Sequence, residues 1–329
     1  MNSCSRLCCL RTVLAIFLAM AAISGARCLS DVELPTVISG GSDHNIKRWD
    51  SSGKLIDTLG TLDDSVTVLR IAPDGSLLSG GADGLVKSWS LADARETRSI
   101  TAGRSAVTAI TVSPDGAVFA VGTADGKISL FNSATGKRLS ETAAHAGAVK
   151  GLIFTPDGTE LISGSADKTI RIWRTVRDSG HLEYRSNIAA HDEAVTGMAA
   201  AAGGSLFATV SDDGYLKTWH LDGGLVGRMK VCDHGVSSVA FSPDGRTIAT
   251  GDRDGKIKLW NAQSSAPMSS VFQHERDRAV LALTFTVSGK ALVSGGADKT
   301  VRYWNLENGQ KIKTIAAHDG EVQALALAP

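Results

Sequence analysis

The chain has 329 residues, of which 43% are apolar, 21% are charged and 35 are glycine. That composition suffices for a large hydrophobic core, and the many glycines favour a fold with frequent tight turns. Lys plus Arg and Asp plus Glu balance at 34 each, which excludes the basic excess of a typical nucleic-acid-binding protein.

Residues 1–26 have the pattern of a secretory signal peptide. Arg6 and Arg11 precede an apolar run over residues 13–23, and small residues at 24–26 suit a signal peptidase. The run is too short for a typical permanent membrane span. We therefore expect cleavage at the end of this segment, with an uncleaved N-terminal membrane anchor as the alternative.

After a linker over residues 27–35, one hairpin motif recurs along the chain. In its clearest copy, residues 161–173, two apolar-alternating runs flank a small and polar turn, which is the pattern of a β-hairpin. In every copy an Asp stands six residues before an aromatic residue; the pairs are Asp43 and Trp49, Asp83 and Trp89, Asp125 and Phe131, Asp167 and Trp173, Asp213 and Trp219, Asp254 and Trp260, and Asp298 and Trp304. Successive aromatics lie 40 to 46 residues apart, and a period of about 40–45 residues is typical of the four-stranded blades of β-propellers.

Two further features repeat with the hairpin. The residue four positions before the turn Asp is a hydroxyl residue in all copies but one: Ser39, Ser79, Ser163, Thr209, Thr250 and Ser294, with Val121 as the exception. Pro-Asp-Gly triplets follow apolar runs at residues 73–75, 114–116, 156–158 and 243–245. Proline presets φ and glycine permits a positive φ, so these triplets predict tight turns at the ends of buried strands.

In these features the chain resembles the WD40-repeat family over residues 36–329. The resemblance implies an all-β fold, a seven-bladed β-propeller made of four-stranded antiparallel blades. The Asp that usually follows the aromatic residue in this family is present here only at Asp50.

The first unit lacks its own inner strand, since its hairpin begins at Thr36 directly after the linker. A matching strand is found at the other end of the chain. An apolar-alternating run starts at Val322 and reaches Pro329 seven residues later, just as Pro156 follows Val149. We expect this C-terminal strand to complete blade 1 and close the ring, because closure leaves no open sheet edge between blades.

His145, Ser163 and Asp167 could be drawn as a hydrolase triad, but the same set recurs along the chain. In the WD40 family a loop His, a strand Ser or Thr, a turn Asp and a Trp form a buried hydrogen-bonded tetrad. The resemblance implies three complete tetrads: His145, Ser163, Asp167 and Trp173; His191, Thr209, Asp213 and Trp219; and, across the chain ends, His318, Ser39, Asp43 and Trp49. A buried hydrogen-bonded network can stabilise several blades of one ring, whereas an enzyme does not need a nucleophile in several blades. We therefore interpret these residues as structural and expect no catalytic residue.

The remaining blades depart from the tetrad pattern. Blades 2, 3 and 6 have another residue at the His position, namely Leu62, Gly103 and Cys232. Blade 7 has His274, but His274 stands six residues before Val280, whereas His145 stands four before Val149. The spacing therefore predicts that His274 is displaced from its tetrad.

The partner surface is predicted from the residue before each turn Asp, which in WD40-like rings points towards the partner. This residue is charged in blades 5 and 6, as Asp212 and Arg253. Nearby loops add further charged or polar residues, namely Asp192, Glu193, His234, Arg276, Asp277 and Arg278. Because recognition concentrates in loops on a rigid scaffold, we predict a protein-binding patch over blades 5 to 7, with a merely solvated face as the alternative.

Other ligands find little support in the sequence. Basic residues two positions before the aromatics could suggest a phosphate-reading ring: Lys47, Lys87, Arg171, Lys217, Lys258 and Arg302. The family commonly fills this position with charged side chains, whose stems we expect along apolar surface with their charged ends in water. Residues 252–255 resemble part of a calcium loop but lack its later bidentate Glu. We therefore predict no nucleic acid, no metal and no cofactor.

Cysteine usage bears on the compartment. Outside the predicted signal peptide only Cys28 and Cys232 remain, so an exported form has no disulfide framework. In a WD40-like chain, this combination favours the bacterial periplasm over a eukaryotic secretory route.

The leading functional hypothesis is a non-enzymatic scaffold for protein–protein interaction in an exported compartment, a monomer with no membrane span after signal cleavage. One alternative is a propeller-borne enzyme or small-ligand binder that uses the central channel. That alternative requires unlike polar residues to converge on the axis, and none stands out. Another is an accessory to a periplasmic redox system, although the sequence has no haem-attachment motif.

Overall fold

The computed structural model describes residues 34–176 and 180–329. The predicted signal peptide, residues 1–26, and residues 27–33 of the predicted linker lie outside the described residues. Within the described residues, 28 strands form seven four-stranded antiparallel sheets. The predicted all-β, seven-bladed propeller is therefore confirmed.

Each sheet is one blade, and its strands follow one another from the centre of the ring outwards. The inner strands are β4 (Val66–Ile71), β8 (Val107–Val112), β12 (Val149–Phe154), β16 (Val195–Ala200), β20 (Val236–Phe241), β24 (Val280–Phe285) and β28 (Val322–Leu327). The second strands are β1 (Val37–Gly41), β5 (Leu77–Gly81), β9 (Val118–Thr123), β13 (Glu160–Ser165), β17 (Leu206–Ser211), β21 (Thr247–Asp252) and β25 (Ala291–Gly296).

The outer half of each blade is a second hairpin. The third strands are β2 (Asn45–Trp49), β6 (Leu85–Ser90), β10 (Lys127–Asn132), β14 (Thr169–Val176), β18 (Tyr215–His220), β22 (Lys256–Asn261) and β26 (Thr300–Asn305). The outer strands are β3 (Leu55–Thr61), β7 (Arg95–Thr101), β11 (Arg138–Ala143), β15 (His181–Ala189), β19 (Leu225–Lys230), β23 (Pro267–Gln273) and β27 (Lys311–Ala316).

The inner strands stand side by side around a central channel. β4 contacts β8, and the contacts continue in order through β12, β16, β20 and β24 to β28, which contacts β4 in turn. Blade 1 consists of β28, β1, β2 and β3, whereas blades 2 to 7 each consist of four consecutive strands from β4 to β27. The blades therefore form a closed ring.

The two ends of the chain meet in blade 1. β28 pairs with β1 in antiparallel register, with Val37 opposite Leu327 and Gly40 opposite Ala324. The prediction that the C-terminal strand completes blade 1 is confirmed.

The hydrophobic core lies between the blades. The second strands are buried on both faces, as shown by β1 and β5, in which every residue is buried. One apolar cluster fills each of the seven interfaces between neighbouring blades. The cluster between blades 7 and 1 packs Val293 and Tyr303 against Val37 and Trp49. Each blade is therefore stabilised mainly by its two neighbours.

The predicted Pro-Asp-Gly turns begin directly after inner strands. Their glycines have positive φ values between 66° and 82°, at Gly75, Gly116, Gly158 and Gly245. The Asp of each triplet caps the turn; for example, Ser76 N–H donates to Asp74 Oδ1 at 2.9 Å. The sequence breaks the strand here because glycine adopts this backbone conformation readily.

Candidate partner-binding face

Two sets of loops meet at one end of the blades. The turn between the second and third strands carries the repeated Asp, and a separate loop connects each outer strand to the next inner strand. Backbone hydrogen bonds join the two sets: Ala82 N–H donates to Ser65 O at 3.0 Å, and Ala166 N–H donates to Ala148 O at 2.9 Å. We call this end of the ring the Asp-turn face. The opposite end, at which the inner strands run into the Pro-Asp-Gly turns, is the Pro-Asp-Gly face.

In blade 4 the four predicted tetrad residues form one hydrogen-bonded chain. His145 Nδ1 lies 2.9 Å from Asp167 Oδ2, and His145 Nε2 lies 2.8 Å from Ser163 Oγ. The indole N–H of Trp173 donates to the same Ser163 Oγ at 2.8 Å. A carboxylate only accepts, so Nδ1 carries the ring proton and the Ser163 hydroxyl donates to Nε2.

The four residues predicted for the blade 5 tetrad are arranged in the same way. His191 Nδ1 lies 2.9 Å from Asp213 Oδ2, and His191 Nε2 lies 2.8 Å from Thr209 Oγ1. The indole N–H of Trp219 donates to the same Thr209 Oγ1 at 2.8 Å, and the Trp219 side chain is buried between blades 4 and 5. Trp219 therefore acts both as a donor in the tetrad and as part of the apolar core.

The third predicted tetrad spans the two ends of the chain. His318 lies 2.8 Å from both Ser39 Oγ and Asp43 Oδ1, and the indole N–H of Trp49 donates to Ser39 Oγ at 2.8 Å. This tetrad joins β1 and β2 to the loop before β28. It therefore fastens the chain ends with side chains, in addition to the strand pairing.

Blade 7 contains a fourth tetrad, and the prediction that His274 is displaced is wrong. His274 lies 3.0 Å from Asp298 Oδ2 and 2.6 Å from Ser294 Oγ, to which Trp304 donates at 2.8 Å. The His is held by the residues before it, because its backbone N–H donates to Gly255 O at 2.8 Å. The two extra residues follow His274 and lengthen the loop without moving it.

Burial lowers the pKa of His145, His191 and His318 below its ordinary value of 6.5, although the hydrogen bond to the Asp opposes the shift. These rings are therefore neutral at pH 7, in agreement with their hydrogen-bond roles. Ser163 has no exposed surface, so a substrate cannot contact this hydroxyl. The geometry is that of a buried, structural hydrogen-bond network.

Blade 6 has a solvent-side variant of the tetrad. His234, which the sequence places in the partner patch, lies with Nδ1 3.1 Å from Asp254 Oδ1, and its side chain is 73% exposed. Cys232 occupies the buried His position, and burial raises the pKa of its thiol. Blade 6 thus presents an exposed imidazole where blades 4 and 5 bury theirs.

The patch residues on blades 5 and 6 are largely paired. Arg253 and Asp212 form an ion pair across the two blades. Lys168 Nζ lies 3.3 Å from Glu193 Oε2 and donates to the Asp192 carbonyl at 2.8 Å. Lys168 is not among the residues predicted for the patch. Its position in the Asp turn of blade 4, beside the loop that enters blade 5, is the feature of the sequence that could have indicated this pairing.

The loop that enters blade 7 differs from these. Arg276, Asp277 and Arg278 are exposed, and none of the three forms an ion pair or side-chain hydrogen bond with another described residue. Asp277 adopts a left-handed backbone conformation with φ of 58°. The loop therefore presents adjacent charges of alternating sign that the described part of the protein leaves unpaired.

The six basic residues before the aromatics do not keep their charged ends in water, so that expectation is wrong. Lys87 pairs with Glu96, with Nζ 3.4 Å from Oε2. Each of five donates to the backbone carbonyl one residue before the His position, at 2.5 to 3.2 Å: Lys47 to Ala317, Arg171 to Ala144, Lys217 to Ala190, Lys258 to Val231 and Arg302 to Gln273. These cations hold the loops of the Asp-turn face in place and are not arranged as a phosphate-reading ring.

Among residues 34–176 and 180–329, no group of three or more His, Cys, Asp or Glu residues could hold a metal ion. In the same part of the chain, no helix has the length and hydrophobicity needed to cross a membrane.

Comparison with known proteins agrees with this architecture. The family described as WD domain, G-beta repeat matches residues 53–90, 136–174, 183–220, 226–261 and 266–305, together more than half of the chain. The chain belongs to the WD40-repeat family. WD40 propellers are typically scaffolds for protein interaction and generally lack enzymatic activity.

This WD40 protein is also similar to a second family and to a solved structure. The family described as anaphase-promoting complex subunit 4 WD40 domain matches residues 98–148. The crystal structure of the computationally designed Ika8 protein is 28% identical, covers 90% of this chain and 88% of its own, and superposes with a TM-score of 0.69. No curated protein matches the chain.

Proposed function

We propose that this WD40 propeller is an exported, non-enzymatic scaffold that binds a protein partner through the Asp-turn face of blades 5 to 7. The observation that carries the proposal is the run Arg276–Asp277–Arg278, three exposed charges without partners in the described structure. They stand on a loop whose base is fixed by the blade 7 tetrad. A rigid base lets a loop recognise a partner without a large ordering cost.

The neighbouring blades define the partner's chemistry. The Arg253–Asp212 pair and the exposed His234 lie beside the blade 7 loop on the same face. A surface of mixed sign favours a partner with the complementary alternation of charge, because electrostatic complementarity sets specificity and orientation more than affinity. We therefore expect a mixed-charge protein surface as the partner.

The non-enzymatic part of the proposal is supported by the use made of the Ser, His and Asp side chains. Each tetrad hydroxyl accepts from an indole and is buried. A nucleophile must instead be open to its substrate and near a base.

Export is proposed from the pattern of residues 1–26, with the bacterial periplasm as the compartment. Fractionation of the source cells, followed by mass determination of the protein's N-terminus, tests it. A mature protein that begins at Arg27 in the periplasmic fraction is expected. Retention of residues 1–26 in a membrane fraction would support the anchored alternative instead.

Affinity capture from the native envelope fraction tests the partner surface. Wild-type protein should capture a defined partner, and the double variant Arg276→Glu/Arg278→Glu should lose it. The matched control is Arg104→Glu, an exposed residue on the loop entering blade 3 of the same face, which should capture as wild type does. Equal capture by wild type, double variant and control would contradict the proposed surface.

A further inference from the structure

The channel opens on the Pro-Asp-Gly face into a cavity of about 610 Å³. The carboxyl-terminal halves of the inner strands of blades 2 to 7 line it, and most of the lining residues are apolar, with Phe154, Met198 and Phe241 among the largest. Ligand pockets in proteins commonly have volumes of about 300–1,000 Å³. The cavity is therefore large enough for a small organic molecule.

One residue in this cavity breaks the repeat. The fifth position of β4 is Arg70, whereas the fifth positions of the other inner strands are small or uncharged: Thr111, Ile153, Ala199, Ala240, Thr284 and Ala326. The strand pairing confirms their equivalence, since Arg70 lies opposite Leu78 as Ile153 lies opposite Ile162. Arg70 therefore departs from its six repeat equivalents.

Arg70 has no partner within the described structure. It is the only titratable residue among those that line the cavity, and its side chain forms no ion pair or hydrogen bond with any other residue of 34–176 and 180–329. Its side chain is exposed, yet desolvation by the surrounding strands lowers the pKa of the guanidinium. Arginine stays protonated in proteins, so a positive charge remains in this apolar mouth.

The equivalent positions in the other six blades of this chain carry no charge, so the ring closes without a cation at this position. A guanidinium presents parallel N–H donors that match a carboxylate in bidentate geometry. A doubly charged phosphate would leave one charge uncompensated beside the single cation. The remaining wall, including Ile153 and Phe241, suits an apolar body.

We propose that the channel mouth at Arg70 binds a small monocarboxylate with an apolar body, its carboxylate on the guanidinium and its body against the apolar wall. The Thr111 hydroxyl, on the neighbouring strand of the cavity wall, is a further donor for the carboxylate. This site lies at the opposite end of the ring from the proposed partner surface, so the two proposals stand or fall separately.

Titration calorimetry with two probes tests the site. Decanoate carries the carboxylate, and decanamide is its uncharged counterpart of nearly the same shape. Wild-type protein should bind decanoate at least about tenfold more tightly than decanamide, in line with a charge-assisted bidentate contact. Arg70→Met should reduce decanoate affinity to that of decanamide, whereas Arg104→Met on the Asp-turn face should leave it unchanged.

A second variant tests the location without touching the charge. Ala199→Phe, at the same strand position of blade 5, should fill the cavity and weaken both probes. The melting temperature of Arg70→Met should be close to that of wild type, because the exposed Arg70 side chain has no partner among the described residues. Equal decanoate affinity in wild type and Arg70→Met, equal affinity of wild type for both probes, or no binding of either probe would overturn the proposal.

Discussion

Four buried hydroxyls, those of Ser39, Ser163, Thr209 and Ser294, each lie between an imidazole and an indole. Each accepts from the Trp and donates to the His, which donates in turn to the turn Asp. At the scale of single residues, these hydrogen bonds satisfy polar groups that the closed ring buries away from water. Satisfied networks of this kind specify one arrangement, because a broken link leaves a buried polar group without a partner.

Asp167→Ala should therefore reduce the free energy of unfolding by about 1–3 kcal/mol, since His145 Nδ1 loses its acceptor. Urea unfolding measures the change. The matched control is Asp125→Ala in blade 3, where Val121 and Phe131 replace the tetrad hydroxyl and Trp and where the Asp side chain is 44% exposed. Equal costs for the two variants would contradict a special role for the tetrad.

The tetrads also predict a pH dependence of stability. The pKa of His145, His191 and His318 is lowered by burial in the folded protein, whereas the pKa of a His in the unfolded chain is about 6.5. As the pH falls below that value, the unfolded chain binds protons that the folded protein does not bind, so the free energy of unfolding decreases. Above it, this contribution is constant.

Urea unfolding at about pH 7.5 and about pH 5.5 checks this sign. His145→Gln should be less stable than wild type at both pH values but should lose less stability between them. A loss as large as that of wild type would show that His145 does not contribute to the pH dependence.

At this scale the resemblance to the WD40 family implied three of the tetrads, because the spacing of their residues matches the family's tetrad positions. The sequence pattern misplaced His274, because the spacing was counted to the following strand, whereas His274 directly follows β23 and its backbone N–H donates to Gly255 O in the Asp turn of blade 6. It passed over Arg70, because a repeat pattern treats a single departure as variation, and only the ring shows that this position faces a shared cavity.

At the scale of strands, β28 is the element on which the ring depends. Its loss would expose the edge of β1, whose residues are all buried, and would leave the loop that carries the tetrad residue His318 without the strand that follows it. An exposed, apolar edge strand pairs readily with other chains. Deletion of residues 322–329 should therefore give a protein that aggregates or melts well below wild type.

Scanning calorimetry and size-exclusion chromatography of this truncated protein test the expectation. Removal of Pro329 alone is the control and should leave both measurements unchanged, because Pro329 lies beyond the paired strand. An unchanged melting temperature after deletion of residues 322–329 would contradict closure by this strand.

The turns between the second and third strands carry local strain that can be relieved. His44 has φ of 70° at a position where Gly84 and Gly126 stand in blades 2 and 3. A left-handed backbone disfavours residues with a Cβ, so His44→Gly should raise stability, by about 0.5 kcal/mol after the greater freedom of the unfolded glycine is included.

The reverse change is the comparison for this variant. A Cβ at Gly84 would lie 2.5 Å from the Gly103 carbonyl oxygen, so Gly84→Ala should destabilise the protein. Thermal denaturation orders the variants as His44→Gly, wild type, Gly84→Ala. A decrease in stability for His44→Gly would show that its side chain contributes more than its backbone costs.

At the scale of the whole molecule, the number of blades, their strand count and the closure were predictable because seven copies of one pattern reinforce each other. The pairing of charges on the Asp-turn face was not predictable in the same way. It depends on which turn of one blade meets which loop of the next, as with Lys168 and Glu193 or Arg253 and Asp212. The charges of the blade 7 loop can be recognised as unpaired only when the ion pairs of the neighbouring loops are known.

The most direct test of the proposed scaffold function is hydrogen–deuterium exchange of the protein with and without its captured partner. Binding should slow exchange in the loops at residues 191–194, 233–235 and 275–279 and leave the Pro-Asp-Gly turns unaffected. Slowed exchange confined to the Pro-Asp-Gly face, or to blades 1 to 4, would contradict the assignment of partner binding to the Asp-turn face of blades 5 to 7.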